Sequence, residues 1–329
     1  MNALYLISAL LAGALVIAVL VWRGRRQNRR FWLRLALVCI LVICLALAAV
    51  ANILAYQRSY ALVHPARTWA GAAPESVGIT GYQEVRFETP DGLQLAAWYI
   101  PPQNGAVVIA VHGFAGNRAQ YLPEAAFLHK AGFGVLLIDS RNSGDSAGDM
   151  NSFGLYEVND IRGALDFLSK QPAVDPERIG LLGHSGGGST VLLAGAQIPQ
   201  ISAVIAQSTF TSLEDNISTG VRQLLGLPPF PFAPLVVFWG ERISGMDLHT
   251  VNPAGQVKNI APRPLLIMHG ALDPLIPVDN AHGLYQAASE PKELYILAGA
   301  HHANLYQVGG QEYADKILRF YTANLLAKP

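Results

Sequence analysis

Hydrophobic and polar positions change their pattern twice along this chain. Residues 3–22 (ALYLISALLAGALVIAVLVW) and 35–56 (LALVCILVICLALAAVANILAY) are uncharged runs of 20 and 22 positions. As helices each would span roughly 30 Å, the thickness of a hydrocarbon core. Residues 57–80 mix Pro, Gly, Ala and Ser without a period and read as a linker. From residue 81 onward, short apolar runs alternate with amphipathic stretches. The runs 84–89 and 93–100 flank Pro90-Asp91-Gly92 and predict a hairpin. Runs at 106–113, 134–140, 178–183, 203–208, 264–270 and 293–299 are apolar on both faces, as strands buried in a sheet are. Helical spacing falls at 118–131, at 155–169, after Ser185 and at about 311–325. Such alternation predicts a mostly parallel central sheet with helices on both faces. The first two strands form its antiparallel edge.

Residues 209–259 interrupt this rhythm. They hold GLPPFPFAPLVVFWG (226–240), and their length predicts a small helical cap over the strand ends. The PPFPF portion also suits a position facing lipid. The expected organisation is therefore two transmembrane helices over 1–56, a linker over 57–80, and one α/β domain over 81–329 with 209–259 inserted as the cap.

Charge sharpens the N-terminal reading. Six arginines (Arg23, Arg25, Arg26, Arg29, Arg30 and Arg34) lie between or beside the two apolar runs, and residues 1–57 contain no acid. The positive-inside rule puts that short loop in the cytoplasm and the domain after residue 56 on the extracytoplasmic side. The arginines, the second run and Ala49-Val50-Ala51 also resemble a signal peptide with its cleavage site. The first run argues against that alternative, because it precedes the basic region. The remainder holds 17 basic and 23 acidic residues, a net charge of −6. A mildly acidic domain of this kind lacks the electrostatic footprint of a nucleic-acid binder. The two cysteines, Cys39 and Cys44, lie inside the second apolar run, so the domain has neither a disulfide framework nor a cysteine metal site. No metal-ligand spacing, dinucleotide fingerprint or Walker lysine is present, and no cofactor is expected. Oligomeric state is not readable.

The candidate chemistry centres on RIGLLGHSGGG (178–188). An apolar run meets Gly183-His184-Ser185-Gly186-Gly187, a G-x-S-x-G pattern at a strand-to-helix junction. A serine on so sharp a turn needs small residues two before and two after it. Its hydroxyl becomes a nucleophile only when a base takes its proton and a carboxylate holds that base. Two segments after Ser185 offer both, each just past a buried run. Asp273 stands in MHGALDPLIP, and His301 and His302 stand in LAGAHHANLY. Asp279 is a rival acid that reads as the start of a helix. Asp139 precedes the serine and reads as a structural carboxylate for the turn RNSGDS.

The motifs HGFAGN (112–117), DSRNSGDS (139–146), GHSGGG (183–188), HGALDPLIP (269–277) and GAHHANLY (299–306) together resemble the α/β-hydrolase superfamily. They are closest to its esterase, dienelactone-hydrolase-like and serine-aminopeptidase-like branch. The resemblance spans roughly residues 80–325. It implies Ser185 as nucleophile, His302 rather than His301 as base and Asp273 as acid, with the N–H groups of Phe114 and Gly186 as oxyanion hole. It implies a loop-shaping role for His112 and a scaffold role for His184. His64, His129, His249, His269 and His282 have no motif partner and read as surface or core residues.

The implied activity is hydrolysis of a small-molecule acyl ester by a membrane-anchored serine hydrolase. The alternatives are a peptidase, with Glu214, Asp215 or Glu241 holding a substrate amine, and a non-catalytic interaction module at the membrane.

Overall fold

The computed structural model describes residue 19 and residues 29–326. Apart from Val19, the expected first span, 3–22, and the arginines Arg23, Arg25 and Arg26 lie outside the described residues, so one apolar helix is described where two were expected. That helix, α1, runs Arg29–Val63 over 35 residues. Its most apolar window is long enough to span a membrane and is not buried by protein. It also overruns the expected linker. Residues 57–64 contain no glycine or proline, and the helix stops only where Pro65 disfavours helical backbone at the residue before it. The rest of the expected linker packs onto the domain: a 3₁₀ turn covers Pro74–Val77, and Ile79 is buried in the core.

The chain divides into two units, Met1–Ala55 and Tyr56–Pro329. The second is built on an eight-stranded sheet. Its strands are β1 (Gln83–Glu88), β2 (Gln94–Ile100), β3 (Val107–Val111), β4 (Gly134–Ile138), β5 (Ile179–His184), β6 (Ala203–Gln207), β7 (Leu265–Gly270) and β8 (Lys292–Leu297). Their order across the sheet is β1-β2-β4-β3-β5-β6-β7-β8. The β1 and β2 hairpin is antiparallel and joins β4 antiparallel; every other pairing is parallel. Strands β3 to β7 are buried at every position, which is why their sequences carry no alternation.

Helices cover both faces. On one, Val108, Leu137, Leu182, Ile205 and Leu266 pack with α2 (Leu122–Lys130) and α9 (Leu305–Tyr321). The backbone of α9 breaks at Gly310 (φ 49°, ψ −128°), so its second half matches the expected helix and its first turns lie before it. The other face takes α3 (Glu157–Ser169) and α4 (Gly186–Gln197). Gly195 of α4 lies so close to the sheet that an added Cβ would stand 2.8 Å from Val204 Cγ2. Between β6 and β7 the chain forms α5 (Leu213–Leu225), α6 (Pro229–Ser244) and the single turn α7 (Pro253–Gln256). Helix α8 (Asp279–Ala287) follows the loop after β7, and Asp279 opens it.

Candidate active site

Strand β5 delivers Ser185 into α4 through a turn that few residues tolerate. Ser185 has φ 55° and ψ −117°, a conformation that costs on the order of 1–3 kcal/mol and needs support. Three hydrogen bonds supply it. The Ser185 N–H donates to Gln207 O at 2.8 Å, the Thr209 hydroxyl donates to Ser185 O at 2.8 Å, and Ser189 N–H donates to the same oxygen at 3.1 Å. The flanking glycines are sterically required. A Cβ on Gly183 would run into the carbonyl of Gly187, and one on Gly187 into the carbonyls of Val111 and His112.

The loops after β7 and β8 bring two further groups to the serine. His302 Nε2 lies 3.0 Å from Ser185 Oγ, and His302 Nδ1 donates to Asp273 Oδ2 at 2.7 Å. Asp273 is buried; its Oδ1 accepts the N–H groups of Leu275 and Ile276, both at 2.9 Å. Burial pushes the Asp273 pKa up, but hydrogen bonds from His269, His302 and the Ile276 N–H outweigh it and hold the group below the usual carboxylate range. His301 turns away: its Nδ1 donates to Leu272 O at 2.9 Å.

The loop after β3 completes the arrangement. An added Cβ on Gly186 would stand 3.5 Å from Phe114 N, so the backbones of these two residues lie close together. Neither N–H has a protein acceptor among the described residues.

Comparison with known proteins agrees with this architecture. A family model described as the alpha/beta hydrolase fold matches residues 106–260. An uncharacterized protein of Mycobacterium tuberculosis is 30% identical over 257 residues, covering 77% of this chain and 84% of its own. The chain belongs to the α/β-hydrolase family. The uncharacterized protein YfhR of Escherichia coli K12 is 29% identical over 255 residues, covering 74% of this hydrolase-family chain and 81% of its own. Among solved structures, the esterase Pf2001 of Pyrococcus furiosus superposes with a TM-score of 0.67 at 24% identity, over 80% of this chain and 98% of that one.

Three further histidines of this α/β-hydrolase hold loops around the site. His112 donates Nδ1–H to Gly113 O at 2.7 Å and accepts the Ser140 N–H at 3.1 Å, which shapes the HGFAGN loop. His184 donates Nε2–H to the carbonyl of His302 at 2.7 Å. Burial, and then the nearby His302, push His184 down to about 4, so it stays neutral and holds the His302 backbone. His269 has a partner the sequence did not disclose. Fully buried at the end of β7, it donates Nε2–H to Ile276 O at 2.8 Å, with Asp273 Oδ2 at 3.3 Å. It thereby clamps the loop that carries the acid; the signal available in the sequence is the four-residue spacing from His269 to Asp273. Asp139 accepts the N–H groups of Arg118 and Asp145, as a turn-forming carboxylate does.

The sequence reading also missed an aromatic wall. The Phe114 ring stacks on Phe153 with centroids 5.2 Å apart, and Phe153 meets Phe210 edge-on at 6.5 Å. Glu157 accepts the N–H groups of Ser152 and Gly154, which fixes the loop that presents Phe153. Nearby, the last turns of α1 and helices α5 and α6 enclose an apolar cleft of only about 20 Å³, lined by Val63, Phe153, Ile217 and Val236 among others. The carboxylates considered for holding an amine have local partners. Glu214 accepts from His249 Nδ1 at 2.9 Å, Asp215 from the Ser212 hydroxyl at 2.8 Å, and Glu241 from Leu248 N–H at 3.2 Å.

Proposed function

We propose that this chain is a membrane-anchored serine hydrolase that cleaves carboxylic esters. The observation that carries the reading is the unbroken hydrogen-bond path from Ser185 Oγ through His302 to Asp273, beside a strained strand-to-helix turn. His302 Nε2 takes the proton from Ser185 Oγ as that oxygen bonds to the acyl carbon. Asp273 fixes the Nδ1–H tautomer and stabilises the imidazolium. The N–H groups of Phe114 and Gly186 hold the tetrahedral oxyanion, where one lost donor costs roughly 3–4 kcal/mol of barrier. As the intermediate collapses, His302 returns its proton to the departing alkoxide. A water, deprotonated by His302, then attacks the acyl-enzyme; the acid leaves and the proton returns to Ser185.

Helices α5 and α6, standing between β6 and β7, serve as the cap. Helix α1 anchors the enzyme with the Arg-rich segment in the cytoplasm and the hydrolase unit outside. A panel of p-nitrophenyl esters of graded acyl length, with Ser185→Ala as control, tests the reaction. Turnover confined to aminoacyl-p-nitroanilides would replace ester with amide. Wild-type protein that a fluorophosphonate leaves unlabelled at Ser185 would remove catalysis altogether. Protease treatment of intact cells tests the orientation: a fully protected hydrolase unit would reverse it.

A further inference from the structure

Helix α6 presents an apolar face outward. Residues 223–240 contain no charged side chain and no histidine over 18 positions. Within them Phe230 is 79% exposed and Phe238 43%, while Val236 and Val237 are buried. The exposed helical positions follow the i, i+3, i+7 stripe of Pro231, Pro234 and Phe238, and Leu225 and Phe230 extend that surface before it. The polar face expected of a solvated helix is missing until Glu241 and Arg242; the Arg242 guanidinium lies 4.7 Å over the Phe238 ring.

What covers this face follows from its neighbours. Tyr56, the last residue of the second uncharged run, meets Trp239 of α6 edge-on at 5.4 Å. One turn later Ser59 Oγ donates to Val236 O at 2.7 Å. Tyr56, Tyr60, Phe238 and Trp239 thus form one aromatic cluster with Arg242 against it, the composition found where a protein passes from hydrocarbon to headgroup. Tyr56 closes the uncharged run in the sequence, and α6 belongs to the same cluster as Tyr56.

We propose that the uncharged face from Leu225 to Phe238 seats in the lipid–water interface of the bilayer. This rests on the membrane reading of α1. The occupant is lipid, because the face is continuous with residues that leave the apolar run, and because no charged side chain lies between Arg222 and Glu241. Its consequence is a substrate class: esters held in the lipid layer reach α5 and α6, which share a cleft with Phe153, without crossing water.

Spin-label accessibility in the full chain tests this. The background is Cys39→Ser with Cys44→Ser, reconstituted into vesicles of phosphatidylcholine and phosphatidylglycerol. Labels are placed at Phe230→Cys, at Leu45→Cys within α1, and at Lys170→Cys as an aqueous reference. The expected result is a Phe230 label open to oxygen and shielded from a water-soluble nickel chelate, between the other two sites. A Phe230 label as open to nickel as Lys170 overturns the proposal, as does one shielded from both agents, which would mean a second copy or a protein partner. A Leu45 label in water overturns the anchor reading itself, whereas lipid at Leu45 with water at Phe230 overturns this inference alone. In a parallel measurement, Phe230→Asp with Phe238→Asp lowers turnover of a vesicle-borne ester by about tenfold relative to a soluble one, the scale of burying one or two apolar side chains. An unchanged ratio counts against it.

Discussion

His302 Nε2 and Ser185 Oγ, 117 positions apart in the chain, lie 3.0 Å from each other, while the adjacent His301 points to the carbonyl of Leu272. Two neighbouring histidines on one loop therefore face different surroundings. His302→Ala removes the one imidazole among the described residues that hydrogen-bonds the Ser185 hydroxyl, and kcat/KM on a short ester falls on the order of 10⁴-fold or more. His301→Ala leaves it within about twofold, as expected of an exposed loop change. Equal losses in the two variants would reverse the assignment.

The elbow glycines separate steric need from flexibility. Gly183→Ala and Gly187→Ala each drive a Cβ into backbone carbonyls that cannot swing away. Each is expected to destabilise by about 3 kcal/mol or more, or to abolish folded protein, in thermal melts. Gly186→Ala meets only an ordinary contact at 3.5 Å from Phe114 N and lies in α4. Its melting temperature stays within a few degrees of wild type. A Gly186→Ala protein as unstable as the other two would mean that this turn is governed by backbone freedom rather than by collision.

Much of this site was legible because its residues sit at ends of apolar runs. Asp273 and His302 follow β7 and β8, and the order serine, acid, histidine groups them in the sequence itself. Choosing His302 over His301 required alignment to a family pattern, since adjacent loop residues share their spacing. His269 offered only its four-residue spacing from Asp273, and Phe153 and Glu124 were not legible. Their partners are set by the packed fold: Tyr313, which donates to Glu124, lies 189 positions away. The extension of α1 to Val63 was readable in principle, because 57–64 holds no breaker, but its mixed composition resembles a linker more than a helix.

His269 acts on the reaction through Asp273 rather than on substrate. Removing its hydrogen bond to Ile276 O frees the loop that presents the acid. His269→Leu lowers kcat by about tenfold with KM little changed, the scale of one hydrogen bond of about 1.5 kcal/mol. His269→Gln, whose amide nitrogen replaces Nε2–H, recovers most of that loss. If Leu and Gln behave alike, the residue is only a core filler.

Glu124 makes stability depend on pH from beneath the sheet. Its carboxyl is buried, accepting the Tyr313 hydroxyl at 2.8 Å, and Tyr313 in turn accepts from Gln207 Nε2 at 2.7 Å. Burial pushes its pKa up to about 7, against the opposing Tyr313 hydrogen bond. The folded protein therefore prefers the protonated acid. Below the ordinary pKa of about 4.5 both states are protonated and the group costs nothing. As pH rises from there to about 7, the unfolded chain ionises while the folded one holds its proton, and stability falls by on the order of 3 kcal/mol before levelling off. Glu124→Gln removes that slope: its melting temperature matches wild type in acid and exceeds it above neutrality. A wild-type protein and a Glu124→Gln protein with parallel pH profiles would show that Glu124 keeps an ordinary pKa in the fold.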